Sequence, residues 1–346
     1  DYFLKERNKK VTIIGATSGD TGSAAIEACR DRAAIEIFIL HPQGRVSEVQ
    51  RRQMTTVRSE NVFNIALDGT FDDCQDMVKA LFVDEEFRDA HNLSAVNSIN
   101  WARIMAQIVY YFWTGVSLGA PDQKFIYAVP TGNFGNVYAG YAAKKMGLPV
   151  EKLIIGSNEN DILTRFFASQ NTKGTMSMAP VIPTSSPSMD IQISSNFERL
   201  LFDYYGRDGK AVAGVLEDFR HNQTVNFGHE CWQKMRKIFE GYRVSNSEIN
   251  SAIANVYKTT GELLDPHSII GVVGGHKGHT NPANIMVALA TAHPAKFPAA
   301  VVEATGITPN LPAHLADLFE REESYDVLPN DIDQIRNYIV NTLKKK

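Results

Sequence analysis

Cysteine is scarce in this chain. Its 346 residues hold three, Cys29, Cys74 and Cys231, an odd number without paired spacing, which points to plain thiols in a reducing compartment rather than a disulfide framework. Long apolar runs are missing too. Nothing approaches the roughly 20 residues of a membrane span, and the first ten residues, DYFLKERNKK, are charged rather than leader-like. Nor is basic charge in excess: 35 Lys and Arg stand against 39 Asp and Glu, a formal net charge of -4, so neither nucleic acid nor an anionic membrane is an expected partner. No repeat and no interdomain linker stands out. What is present is an ordinary globular composition, 44% hydrophobic and 21% charged, with length for about two domains. Together these predict a cytoplasmic protein.

The stretch that organises the chain is VTIIGATSGDTGSAA, from Val11 to Ala25. Its β-branched run stops at Gly15 and passes through a polar, glycine-punctuated turn into helix-forming residues, which reads as strand, turn, helix. Gly15, Gly19 and Gly22 allow tight turns and close approach of backbone to a ligand. Thr17, Ser18, Asp20 and Thr21 cluster where a helix start leaves its amides unpaired, a place that attracts phosphate or carboxylate. The same glycine spacing occurs in dinucleotide-binding turns. Against that reading, the second strand, Glu36–Leu40, runs into His41 and Pro42 instead of ending in an acidic residue for a ribose hydroxyl. Tyr141 and Lys145 share the Tyr-x-x-x-Lys spacing of short-chain dehydrogenases, and we treat them as a decoy.

Downstream, strands at about Val62–Leu67 and Ala95–Ser98 alternate with helices at Asp20–Arg32, Ser47–Met54 and Thr70–Phe82. This order predicts parallel β-α-β units and an open sheet. Asn97, Ser98 and Asn100 then open an apolar helix, and Arg103 lies one turn inside it with a guanidinium suited to bidentate phosphate contact. Helix capping by Asn100 with Arg103 in a surface pair is the structural alternative. Phe125–Val129 is a further strand opening onto PTGNFGN, Pro130–Asn136, where the strand, glycine turn and helix start repeat: a grip for phosphate without any basic side chain. Two such turns suit a ligand held at strand carboxyl ends between two α/β lobes.

Past a strand at Lys152–Ser157, Asn158 to Asp161 are expected to cap a helix. Asn171–Asp190, rich in Ser, Thr, Pro and Met, reads as a long mobile loop of the kind that serves as a lid. A helical insertion is expected over about 195–260, then strands at Ile269–Val273 and Ile285–Ala290, and helices at about Pro312–Glu322 and Asp331–Lys344. His276 and His279 read as solvated histidines in a glycine turn, not metal ligands, and no metal is expected. Thr291, at the end of the last strand, could hydrogen-bond a heterocycle nitrogen or cap the following turn.

The blocks GATSGDTG, HPQGRVSEVQ, TFDDCQD, NSINWARI, TGNFGN, NENDIL, SSNFERL, LDPHS and TAHPAKF, in this order from about Val11 to Phe297, resemble threonine synthase, particularly the long bacterial and fungal type. The resemblance implies an α/β enzyme of fold type II (tryptophan synthase β-like), dependent on pyridoxal 5'-phosphate, with two parallel-sheet lobes at about 1–105 and 106–346. It implies conversion of O-phospho-L-homoserine and water to L-threonine and phosphate, in a monomer or weak homodimer. Gly132, Asn133, Phe134, Gly135 and Asn136 would cradle the cofactor phosphate, Thr291 would face the pyridine nitrogen, and Asp20 would lie near the cofactor hydroxyl. Thr17, Ser18, Gly19 and Thr21 would hold the substrate carboxylate, and Asn97, Ser98, Asn100 and Arg103 the substrate phosphate.

The chain departs from the family in three places. Asn136 and Thr131 stand where Asp and Ser are more usual. The Schiff-base lysine of the family precedes the GATSGDTG turn, and Lys5, Lys9 and Lys10 lie in contexts that do not match it. The expectation is therefore a chain lacking an N-terminal portion, whose catalytic lysine lies outside it and which alone makes no threonine. A threonine-synthase-like phospholyase and a non-catalytic binding remnant are the rival readings.

Overall fold

The computed structural model describes residues 1–96, 100–171 and 173–345. Eleven strands occur among them: β1 (Val11–Ala16), β2 (Ile35–Pro42), β3 (Val62–Asp68), β4 (Leu93–Ala95), β5 (Phe125–Pro130), β6 (Val150–Ser157), β7 (Thr175–Ser177), β8 (Thr224–Asn226), β9 (Phe239–Arg243), β10 (Ile285–Ala288) and β11 (Asp326–Pro329). The chain divides into two compact units, Asp1–Asn97 with Asn310–Lys346, and Ser98–Pro309.

The first unit carries a five-stranded sheet in the order β11-β3-β2-β1-β4, parallel throughout. Parallel pairing needs a long crossover between neighbours, and the helices Asp20–Cys29, Glu48–Thr55 and Phe71–Val83 supply it. The central strand β2 carries a continuous apolar run: Ile37, Phe38, Ile39 and Leu40 are all buried. The C-terminal segment, expected in the second lobe, returns to this unit. β11 pairs with β3, and Ile335 and Ile339 of the helix Ile332–Lys344 join Ile14, Phe38 and Leu67 in one core. A bidentate contact fastens the return: Arg51 donates to Glu323 through Nε at 2.8 Å and Nη2 at 2.9 Å, and the Thr55 hydroxyl adds a bond of 2.7 Å. The helix expected at 312–322 is reduced to a single 3₁₀ turn, Ala313–Leu315.

The second unit has a four-stranded sheet, β10-β5-β6-β9, again parallel, with a small two-stranded antiparallel sheet of β7 and β8. Residues 269–273, expected as a strand, lie in the helix Ser268–Gly278. The apolar run SIIGVV has the length and branching of a strand, but Gly271, Gly275 and Gly278 recur at helical spacing and face the sheet. A side-chain carbon on them would fall 2.9 Å from Pro130, 2.8 Å from Met286 and 2.6 Å from Ile154. Gly156 of β6 answers from the other side, 2.9 Å from the Ile270 carbonyl by the same measure. This helix packs backbone against strand.

In the first unit, His41 lies next to the end of β2 with 1% of its surface exposed, and its Nδ1 has no hydrogen-bond partner among the described residues. Burial first, then the Arg51 charge, pushes its pKa from 6.5 down to about 4, with Glu323 opposing; the Tyr325 ring packs 6.1 Å away. On acidification the unfolded chain therefore takes up this proton before the folded one. The stabilisation from a neutral His41 is complete above about pH 6.5 and is lost as pH falls towards 4, amounting to about 3 kcal/mol at the acid end. We expect urea midpoints to fall steadily across this window and the slope to flatten in His41→Gln. An unchanged slope in the variant assigns the acid loss to other groups.

Candidate active site

In each parallel sheet the winding reverses at the first strand. In the first unit β1, β2 and β3 step to one side and β4 returns to the other side of β1; in the second, β5, β6 and β9 step outward and β10 returns beside β5. Open α/β sheets bind ligands outside the strand carboxyl ends at such reversals. The two glycine turns follow β1 and β5, the strands at which the reversals occur.

After β1, Thr17 is 2% exposed and its hydroxyl accepts the amides of Gly19 at 2.9 Å and Gly22 at 2.8 Å. Its side chain therefore builds the turn, while Ser18 is exposed. Gly19 takes φ +136° and lies against Gln50, where a side-chain carbon would come within 2.7 Å. Buried Gln50 donates to Asp20 Oδ1 at 3.0 Å and accepts from the Ser47 hydroxyl at 2.8 Å. Gln50 fixes the Asp20 carboxylate at the start of the helix Asp20–Cys29, a role that its place inside a plain helix gave no sign of. Thr21 occupies the next position of that first turn.

After β5, the Asn133 side chain accepts the Gly135 amide at 3.0 Å, and its carbonyl accepts the Asn196 backbone amide at 3.0 Å and side-chain amide at 3.2 Å. The Ser194 hydroxyl donates to the Gly132 carbonyl at 2.6 Å. Phe134 caps the helix Gly135–Lys145 in left-handed backbone, φ +66°. Its ring, 1% exposed, is held against Phe197 and Phe239 at 5.2 and 5.8 Å. Asn136, where Asp is more usual, takes a bond from the Tyr111 hydroxyl at 3.0 Å. A side-chain carbon on Gly132 would lie 3.1 Å from the Ser188 carbonyl and 3.2 Å from Met189 Cα, so position 132 has room only for backbone.

The adjacent parallel strand β10 ends with Ala288 opposite Ala128, two residues before the end of β5. Thr291 follows, its side chain exposed and its amide bonded to the Ser268 hydroxyl at 2.9 Å. Ser268 is fixed by the fully buried Asp265. Burial pushes the Asp265 carboxyl up, but hydrogen bonds and charge from His267 and the Ser268 hydroxyl prevail and hold it below the usual range.

The remaining expectations divide. Asn97 and Ser98 lie outside the described residues. Asn100 caps its helix, accepting the Ala102 amide at 3.0 Å. Arg103 is half-buried, and burial pushes its pKa down. Instead of capping a helix, Asn158 and Asn160 donate to Asp190 Oδ1 at 2.8 and 2.9 Å, and Thr184 adds its amide and hydroxyl to the same carboxylate. The segment expected as a mobile lid is thereby anchored: Ser186 and Met189 are buried, and part of it forms β7. Tyr141 donates to Asp203 from the core, with Lys145 over its ring. His279 bonds the Asn284 carbonyl at 2.9 Å.

The donor set fits a phosphate-bearing heterocycle. Backbone amides at a helix start suit a dianion, and the Thr291 hydroxyl, able to donate or accept, suits a ring nitrogen. The comparisons agree with that chemistry. Residues 2–219 match the family of pyridoxal-phosphate dependent enzymes, and 269–339 match the C-terminal region of threonine synthase. A threonine synthase of Pseudomonas aeruginosa is 53% identical over 341 residues, covering 98% of this chain and 72% of the relative. The structure of threonine synthase from Brucella melitensis with bound pyridoxal phosphate superposes with a TM-score of 0.94 at 51% identity, covering 99% of this chain and 72% of that one. The yeast threonine synthase structure gives 0.91 at 40%, covering 100% and 74%. The chain belongs to the threonine synthase family of pyridoxal-phosphate dependent enzymes.

Proposed function

We propose that the native protein makes L-threonine and phosphate from O-phospho-L-homoserine and water, with the residues of this chain divided between cofactor and substrate. The observation that carries the reading is the pair of amide-bearing turns, each at the winding reversal of its sheet. Residues 132–136 hold the cofactor phosphate and Thr291 meets the ring nitrogen. Asp20, steadied by Gln50, lies near the cofactor hydroxyl. The turn shaped by Thr17 offers Ser18, Gly19 and Thr21 to the substrate carboxylate. Asn97, Ser98, Asn100 and Arg103 take the substrate phosphate.

Pyridoxal phosphate, when bound, supplies an electron sink for charge developing on the amino-acid carbons. The chain supplies orientation. A clamped carboxylate and a clamped phosphate leave the amino acid little freedom, which converts binding energy into correct alignment. The guanidinium of Arg103 stabilises charge gathering on the departing phosphate. The anchored 182–190 segment, with Ser188 and Met189 against Gly132, provides a fixed wall that limits water. We place the protein in the cytoplasm, as a monomer or weak homodimer acting on a small molecule. Its three cysteines are free thiols, and among the described residues no helix is long and apolar enough to cross a membrane.

The native protein supplied with pyridoxal phosphate and O-phospho-L-homoserine should release threonine and phosphate in equal amounts; release of a keto acid in place of threonine would establish a phospholyase instead. Asn133→Ala, which frees the Gly135 amide, should weaken cofactor binding roughly tenfold, about what one lost hydrogen bond in a preorganised loop costs. Unaltered cofactor titration in that variant contradicts the assignment of the loop. Gly19→Ala forces a side chain onto Gln50 at φ +136°. It should lower kcat/KM about a hundredfold, the scale of a misplaced positioning group. Wild-type kcat/KM in that variant contradicts the assignment of the first turn to the substrate.

A further inference from the structure

The Thr291 loop and the 188–189 backbone are joined through the segment 265–268. The Asp265 carboxylate is fully buried, with His267 and Ser268 4% and 2% exposed. Its Oδ1 accepts the amides of His267 and Ser268 at 2.8 and 3.3 Å and the His267 ring Nδ1 at 3.1 Å, while its Oδ2 accepts the Ser268 hydroxyl. Each contact fixes a direction further out. Because the Ser268 proton is spent on Asp265, the lone pairs of that oxygen are left for the amides of Thr291 at 2.9 Å and Ala292 at 3.4 Å. Because the His267 ring proton on Nδ1 faces Asp265, Nε2 is the acceptor, and the Ser188 amide donates to it at 3.3 Å. Phe297 packs against the ring at a tilt of 47°, 4.4 Å between centroids.

We propose that Asp265 is a positioning residue that sets both ends of the cofactor site, the ring end through Ser268 and Thr291 and the phosphate end through His267 and the Ser188 backbone lying against Gly132. The inference rests on the assignment of Thr291 and residues 132–136 to the cofactor. A buried carboxylate is a costly way to fill space, since a well-packed apolar group of the same volume serves packing as well or better. Its use here is directional: it dictates which way one hydroxyl and one imidazole point. Asp265 itself touches neither cofactor nor substrate in this scheme.

Two relays from one carboxylate predict separable losses. In the chain without added cofactor, Ser268→Ala should speed amide exchange at Thr291 and Ala292 roughly tenfold, the loss of one acceptor, while the β10 amides 285–288 hold their rates; Ser268→Thr should restore slow exchange. His267→Phe, or His267→Gln should the ring variant fail to fold, should speed exchange at Ser188. In the native protein titrated with pyridoxal phosphate, Ser268→Ala should shift the visible absorption of the bound cofactor and leave its ³¹P resonance in place. The His267 variant should do the reverse. Unchanged exchange at 188, 291 and 292, or ring and phosphate signals that move together in both variants, overturns the proposal. A wild-type protein that binds no pyridoxal phosphate removes the functional assignment, and this inference with it. Wild-type binding with spectroscopically silent variants removes the inference alone.

Discussion

Parallel sheets must reverse their winding somewhere if strands are to be added on both sides of the first, and that topological necessity governs this molecule. Where β4 returns beside β1, and where β10 returns beside β5, successive crossovers leave in opposite directions and the strand ends between them are uncovered. A helix starting at such a place presents amides that its own backbone cannot satisfy. Both glycine turns stand there, and neither owes its character to a lysine or arginine within the turn itself. The chemistry offered is that of oriented peptide dipoles.

The two turns reach similar ends by different means. In the first, a threonine hydroxyl takes two amides and a glutamine from the next helix holds the carboxylate, so the turn is shaped by polar side chains packed under it. In the second, the bend is made by a phenylalanine in left-handed backbone, with Asn133, Ser194 and Asn196 tying the flanks. The 182–190 segment completes that second region through Asp190, on which Asn158, Asn160 and Thr184 converge. A carboxylate meeting this many donors anchors a stretch whose regular structure is one 3₁₀ turn, Pro187–Met189.

Much of this was legible in the residues, and the rest was hidden for physical reasons. β5 and residues 37–40 of β2 are buried and show as apolar runs, and the first glycine turn shows because Gly19, at φ +136°, takes a bend that few other residues tolerate. The helix 268–278 was misread because Ile269, Ile270, Val272 and Val273 favour strands locally, whereas its glycines decide the matter through tertiary contact with β5, β6 and β10. β11 is a four-residue strand of exposed and half-buried residues, legible only once β3 is there to pair with it. Ser268 and Gln50 share that difficulty: their partners lie 23 residues away for Ser268 and Thr291 and 30 for Gln50 and Asp20, and no local pattern links such positions.

Phe134 carries one more implication. Left-handed backbone is unfavourable for a residue with a side chain by roughly 1–2 kcal/mol, and what holds it here is an aromatic ring buried among Phe197 and Phe239. Apolar burial loses strength on cooling. The bend that aims these amides is therefore secured in part by a force that weakens on cooling, unlike a glycine bend, which needs no such support.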